Sequence, residues 1–300
     1  MAVPNRKVGD FPLKDKVVVV TGGGGGICSY FVKRCADLGA KVVNADLKMT
    51  PEGEKLLSGY DNVVFQQTDC TKWDQLHRLV KVAKEKFGST PDVYVGGAGV
   101  FEPPVISSFW HDPEEDDRYR TVEVNLNHPI KLARIGMREL VSHDKPGVIL
   151  PIASVGGIAG TYHCPLYIAT KHGIMGFVKS MELAERYEGV KVVTVCPGAV
   201  DSPLWDVEKR KQVNFEAFDA LHPDDIAAAM IDLVQEGRYG GGTALEVMAN
   251  NGPQRRVIPK WNIDPPKGGS TTNVDTETEV PLAFREARRI MDAERGAAKK

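Results

Sequence analysis

Tyr167 and Lys171 stand four residues apart in LYIATKHGIMGFVKSM, a stretch with helical character. On an α-helix that spacing puts both side chains on one face, about one turn apart. An ammonium this close favours the phenolate, lowers the tyrosine pKa toward working pH and lets the phenol take or return an alcohol proton. Alone, Y-x-x-x-K is common by chance and reads more readily as an amphipathic surface pair. The pair gains weight from Ser154, thirteen residues earlier and just past the apolar run Val148 to Ala153, where a hydroxyl can hold a substrate oxygen.

Near the other end, Val17 to Thr21 runs into five consecutive glycines, Gly22 to Gly26, and a helical pattern opens at Ile27. Glycines allow a tight turn and a close backbone approach, and the helix start offers free N–H groups and the positive end of its dipole, so this turn suits a pyrophosphate. Asp46 closes the second apolar run about twenty residues later. A carboxylate there receives the adenosine ribose hydroxyls and repels a 2′-phosphate, which favours NAD over NADP, although Lys48 close by can soften the discrimination. Asp69, after the third run, is placed to touch the adenine edge or simply to shape a turn.

These groups need a scaffold that brings the ends of several strands together. Seven short β-branched apolar runs, Val17 to Thr21, Lys41 to Asp46, Val63 to Thr68, Asp92 to Gly96, Val148 to Ala153, Lys191 to Cys196 and Thr243 to Met248, alternate with helical stretches. The helices are expected at Ile27 to Leu38, Lys72 to Phe87, about Asp117 to Val141, Cys164 to Tyr187 and Pro223 to Glu236. Such alternation builds one doubly wound α/β domain, a mainly parallel seven-stranded sheet with helices on both faces. The domain is expected to cover residues 1 to 252. Residues 253 to 300 read as a polar extension, with Pro253 to Glu279 an extended or poorly ordered tail and a last short helix at Pro281 to Glu294.

Composition excludes some classes. With 42% apolar residues, 26% charged residues and a formal charge of −2, the chain is ordinary globular protein with no signature for nucleic acid or an acidic membrane surface. The five cysteines lack C-x-x-C spacing, and the seven histidines form no tight cluster, so neither disulfides nor a metal is expected. An N-terminus without an apolar signal core, and no apolar run of membrane-spanning length, imply a soluble cytoplasmic protein.

In motif order and interval the sequence resembles the classical short-chain dehydrogenase/reductase family. The resemblance rests on the T-G-x-x-x-G-I turn at Thr21 to Ile27, G-G-A-G at Gly96 to Gly99, Asn125, Ser154, the Tyr167–Lys171 pair and Pro197-Gly198, and it covers about residues 15 to 250. It implies a Rossmann-type fold, an NAD-dependent exchange of secondary alcohol and ketone, and a catalytic tetrad. In that tetrad Tyr167 is the acid/base, Ser154 steadies the substrate oxygen, Lys171 binds the nicotinamide ribose, and Asn125 holds a water in a proton relay. It also implies cofactor contacts from Gly22, Gly26, Ile27, Asp46, Leu47, Asp69 and Cys70. Ala98 and Gly99 continue that set beside the fourth strand, and Pro197, Gly198 and Val200 complete it beneath the nicotinamide. Two departures stand out. Cys28 takes the place of the usual third glycine, and Gly96-Gly97 replaces an asparagine pair.

Asp201 to about Phe218 corresponds to the family's variable substrate lid. Leu204, Trp205, Val207, Phe215 and Phe218, with Phe101, Ile158, Tyr162 and His163, suit a bulky, partly apolar substrate of polyketide, terpenoid, steroid or prostanoid type, and equally suit packing of the lid. Within the family the sequence loosely resembles the branch with NAD-dependent 15-hydroxyprostaglandin dehydrogenase and fungal 5′-hydroxyaverantin dehydrogenases. Two other readings stay open: a non-catalytic dinucleotide sensor, and an enzyme of this fold turned to another biosynthetic step. The family habit of pairing two helices between subunits implies a homodimer or homotetramer.

Overall fold

A computed structural model describes residues 5–102, 108–112, 117–259 and 282–299. The first strand, β1 (Val17–Thr21), is buried along its whole length and lies between β2 (Lys41–Asp46) and β4 (Val93–Gly96), parallel to both. Outside them lie β3 (Val63–Gln67), β5 (Gly147–Pro151) and β6 (Val190–Val192), giving a six-stranded parallel sheet in the order β3-β2-β1-β4-β5-β6. The order reverses direction between β1 and β4, so the carboxyl ends of the central strands diverge there and leave a crevice.

Successive side chains of a strand face opposite ways, and two cores follow from that alternation. Val18 and Val20 pack under α1 (Gly26–Asp37) and α9 (Pro223–Gln235), with Phe31, Ile226 and Met230 as the bulk of the first core. Val17 and Val19 face the second, built from α3 (Trp73–Phe87), α5 (His128–Ser142) and α6 (Pro165–Ser180). Leu76, Leu79, Leu132, Leu140 and Ile174 are fully buried there, each stabilising the fold by roughly 2 kcal/mol in transfer terms.

The expected elements are present, with differences of detail. The sixth strand breaks at Val193 into β6 and β7 (Thr194–Pro197), and β7 pairs with β8 (Ala244–Ala249) in a second sheet. A parallel bridge between Ile152 and Val195 keeps the two sheets continuous. The expected tail instead begins with a strand, β9 (Pro253–Val257), antiparallel to β8, while 260–279 lie outside the described residues. The long helix expected before Val141 comes in three parts: α4 (Arg120–Val122), a π-turn over Glu123–Asn127, and α5. The helix expected to end at Tyr187 is interrupted after Ser180 and resumes as α7 (Leu183–Glu188).

Two short helices lack a sequence counterpart, α2 (Pro51–Leu57) and α8 (Val207–Gln212). Their own caps start them: the Thr50 and Asp206 side chains accept from the Gly53 and Lys209 amides. The terminal helix α10 (Leu282–Glu294) lies against α5. Glu294 takes the forked guanidinium of Arg134, and Glu188 takes both Arg288 and Arg295. Burial still leaves the Glu188 carboxyl above its ordinary value, despite those two cations.

Candidate active site

The carboxyl ends of β1, β2, β4, β5 and β7 open into one cleft of about 1090 Å³. Every residue that the sequence assigns to the cofactor lines it, as do Ser154, Tyr167 and Lys171, whereas Asn125 does not.

At one end the chain leaves β1 through Gly22, whose φ of +77° is left-handed and whose Cβ would sit 2.5 Å from the Ala98 nitrogen, so a side chain fits neither the backbone nor the space. Helix α1 then opens from Gly25, its N-cap, with no side-chain cap and no acidic residue in its first turn, leaving its positive end uncovered toward the cleft. The loop is tied down by Thr50, whose amide and hydroxyl both donate to the Gly24 carbonyl, at 2.8 and 3.0 Å. Asp46 accepts from the Gly24 amide at 2.9 Å and the Leu47 amide at 2.7 Å. Burial raises its carboxyl above the ordinary value, and the surrounding N–H groups offset part of that rise. Asp69 shapes its own turn by accepting from the Thr71 amide and hydroxyl. Arg120 lines the same end, four residues and one helical turn before Val124.

The two departures from the family pattern meet each other. A Cβ on Gly97 would lie 2.2 Å from the Cys28 sulfur and 2.9 Å from the Thr21 carbonyl, so the thiol occupies the space that a side chain at 97 would need. Burial pushes that thiol up to about 12, which makes it a packing group rather than a nucleophile. Gly97→Ala is therefore expected to cost about 1–3 kcal/mol by overpacking, and distinctly less in a Cys28→Gly background. Urea unfolding of the four proteins measures both costs, and equal costs in the two backgrounds would show that the sulfur is not the obstacle.

At the other end Ser154 follows β5 and accepts from the Gly156 amide at 3.1 Å, while its hydroxyl reaches the Pro197 carbonyl at 3.4 Å. Tyr167, in the first turn of α6, has its phenol near enough to the Ser154 hydroxyl for that group to draw its pKa down. Burial pushes the phenol up to about 12, against the pull of the Ser154 hydroxyl. Lys171 is on the same helix face, its ammonium 5.5 Å from the Tyr167 ring centre and donating to the Ile152 carbonyl at 2.9 Å. Burial takes Lys171 down to about 8. The arrangement can hand a proton from a substrate hydroxyl to a phenol, but burial raises that phenol in the free protein, opposite to the lowering expected from the Tyr167–Lys171 spacing, because desolvation outweighs the neighbouring groups.

Asn125 lies in the π-turn behind the cleft. Its carbonyl oxygen accepts from the Val100 amide and its amide donates to the Val100 carbonyl, both at 2.8 Å. Three residues that sequence patterns alone did not single out complete the frame. His128 is fully buried, with Nδ1 on the Val124 carbonyl at 3.0 Å and Nε2 on the Thr21 hydroxyl at 2.9 Å. That places the proton on Nδ1, and burial holds the ring down to about 4, so it is neutral. Thr21 in turn accepts from the Gly97 amide, which fixes the loop after β4. Thr50 and Glu102 are the other two.

Above Tyr167 stands an aromatic wall. Phe101 lies 5.1 Å from the Tyr167 ring and 4.7 Å from Trp205, and Trp205 lies 5.2 Å from Phe215. Of the expected wall residues, Leu204, Trp205, Phe218, Phe101 and His163 reach the cleft. Phe215 is buried behind Trp205, Val207 is exposed, Ile158 packs on the second core, and Tyr162 lies outside the cleft against Trp110.

The sequence matches the short chain dehydrogenase family over residues 16–213, and the chain belongs to that family. It is an oxidoreductase of that fold, with a site for a nicotinamide dinucleotide. It is similar to galactitol 2-dehydrogenase of Agrobacterium fabrum, with 28% identity over 76% of this chain and 86% of the relative. It is similar to 15-hydroxyprostaglandin dehydrogenase [NAD(+)] of Mus musculus, with 26% identity over 79% and 91%. A crystal structure of 3-ketoacyl-(acyl-carrier-protein) reductase from Brucella melitensis complexed with NADH superposes with a TM-score of 0.66 at 28% identity, covering 78% of this chain and 97% of the other.

Proposed function

We propose that the chain interconverts a secondary alcohol and a ketone with NAD, on a bulky, partly apolar substrate of secondary or lipid metabolism. The observation that carries this reading is the Ser154–Tyr167–Lys171 group set between the glycine turn and the aromatic wall of one cleft. The bound dinucleotide supplies the hydride acceptor or donor. Ser154 steadies the substrate oxygen, Tyr167 takes its proton on oxidation and returns it on reduction, and the Lys171 ammonium favours the phenolate. Asn125 holds Val100, and through it the loop that carries Phe101. Phe101, Trp205 and Phe218 exclude water and orient the apolar body of the substrate.

The preference for NAD rests on Asp46 at the end of β2, where a second negative group on the ribose meets a carboxylate. The mouse relative names NAD(+) and the Brucella neighbour holds NADH, in line with that preference. A fluorescence titration tests it without a known substrate. NADH is expected to bind at least about ten-fold more tightly than NADPH, a margin of about 1.4 kcal/mol, and Asp46→Ala is expected to erase most of the difference. Equal affinities in the parent protein would remove Asp46 from cofactor selection, and binding of neither would overturn the dinucleotide site itself. Screening bulky secondary alcohols with NAD then tests the reaction.

Subunit pairing through α5 and α6 fits the family habit and the small exposed residues Ala169 and Gly176 on α6. A homodimer or homotetramer is expected by sedimentation, and a monomer at micromolar concentration would contradict it. No described helix is long and apolar enough to cross a membrane.

A further inference from the structure

The helix that carries Tyr167 lacks a cap of its own. Cys164 stands at its N-cap with φ −140° and ψ +59°, and its side chain makes no cap hydrogen bond. Its sulfur instead meets the Thr161 hydroxyl at 3.0 Å. Tyr167 is the third residue of the helix, and its amide is one of those that the helix itself cannot satisfy. It donates to Glu102 Oε2 at 2.9 Å, across 65 positions of sequence. The other carboxylate oxygen, Oε1, accepts from the Phe109 amide at 2.9 Å. Glu102 is 1% exposed, so its carboxyl group sits out of water, held by these two amides at the positive end of α6.

Three consecutive residues after β4 are thus pinned in different ways. Val100 is held by Asn125 through both backbone groups. Phe101 has its ring against Tyr167 and Trp205. Glu102 reaches the Tyr167 main chain. The substrate wall and the acid/base are therefore fastened to each other, rather than each separately to the sheet.

We infer that Glu102 is a positioning residue: a cap supplied from the loop after β4 that sets the first turn of α6, and with it the Tyr167 phenol, against Phe101 and the segment at Phe109. This rests on the reading of Tyr167 as acid/base. Replacing the carboxylate by an amide leaves one acceptor for two N–H donors and turns an NH2 group toward the other. The first turn of α6 then loosens, and displacements of around an ångström at a reacting group cost up to about 100-fold in rate.

The test uses the full chain and its Glu102→Gln and Glu102→Asp variants, with 1-tetralol as the probe alcohol and NAD as acceptor. In Glu102→Gln, kcat/KM for 1-tetralol is expected to fall at least about ten-fold, while KM for NAD and the dissociation constant for NADH stay within about two-fold. A kcat/KM within two-fold of the parent overturns the inference, and so does a parallel loss of alcohol and cofactor constants, which would mark general loosening. If Glu102→Gln does not fold, Glu102→Asp, one methylene shorter, is held to the same criteria. If the parent protein does not oxidise 1-tetralol, the proposed reaction fails on that probe and amide exchange decides the cap separately. Exchange at Tyr167 and Phe109 at least ten-fold faster in the variant supports it, and unchanged exchange at both overturns it.

Discussion

Tyr167→Phe is expected to lower kcat by about three orders of magnitude while the affinity for NADH changes by less than about two-fold, within the usual range for removing a general acid/base. The substitution deletes one oxygen and keeps the ring, so the contact with Phe101 at 5.1 Å and the packing of the α6 first turn remain. What is lost is the hydroxyl that neighbours Ser154 and accepts the substrate proton in the proposed reaction. The phenol of the free protein is pushed up to about 12, so between pH 6 and 10 it is a neutral acid until positive charge arrives in the cleft. Oxidation in the parent is therefore expected to accelerate with rising pH, and the Phe variant to lose that dependence. Steady-state kinetics across this range decides it, and a variant within ten-fold of the parent would take Tyr167 out of proton transfer.

Lys171→Met is expected to do two opposite things: lower kcat by about 100-fold with weaker NADH binding, and stabilise the free protein at pH 7. Burial brings the ammonium from 10.5 to about 8. Between those values the unfolded chain holds a proton that the folded chain does not, so the stability contributed by this group rises with pH from about 8 to about 10.5 and is at its minimum below 8. The penalty at pH 7 is of the order of 3 kcal/mol by linkage. Losing the hydrogen bond to the Ile152 carbonyl returns about 1 kcal/mol of it, leaving a net gain of about 2 kcal/mol for methionine. Urea unfolding at pH 7 and pH 10 measures this. A gain at pH 7 that shrinks at pH 10 supports the account, and a variant less stable than the parent at pH 7 contradicts it.

Much of this architecture is legible in the residues. The inner strands of the parallel sheet are buried on both faces and therefore read as β-branched runs, as Val17 to Val20 show, whereas the edge strand β3 is partly exposed. The break at Val193 is invisible there, because Val192, Val193 and Val195 are equally apolar and only the pairing partner changes. Strand β9 went unread for the opposite reason: Pro-Gln-Arg-Arg-Val has no apolar face, and pairing with β8 alone makes it a strand. At the site, Ser154, Tyr167 and Lys171 carry a local signature of spacing. Glu102 and His128 carry none, since their partners lie 65 and 107 positions away and single acidic or imidazole residues usually face solvent. Cys28 and Gly97 each look like a flaw until the fold puts the thiol over the missing side chain.

The outer rim formed by β9 has a bearing on how the molecule behaves in company. A strand with a free side can recruit another chain by offering unpaired backbone groups. Among the described residues no strand lies beyond β9, and that side starts with a proline, all five of its residues face water, and its two arginines are engaged, Arg255 with Asp232 and Arg256 with Glu246. A neighbouring chain that tried to extend the sheet would meet a missing donor and a row of hydrated guanidinium groups. That rim is thus poor ground for growth into fibres.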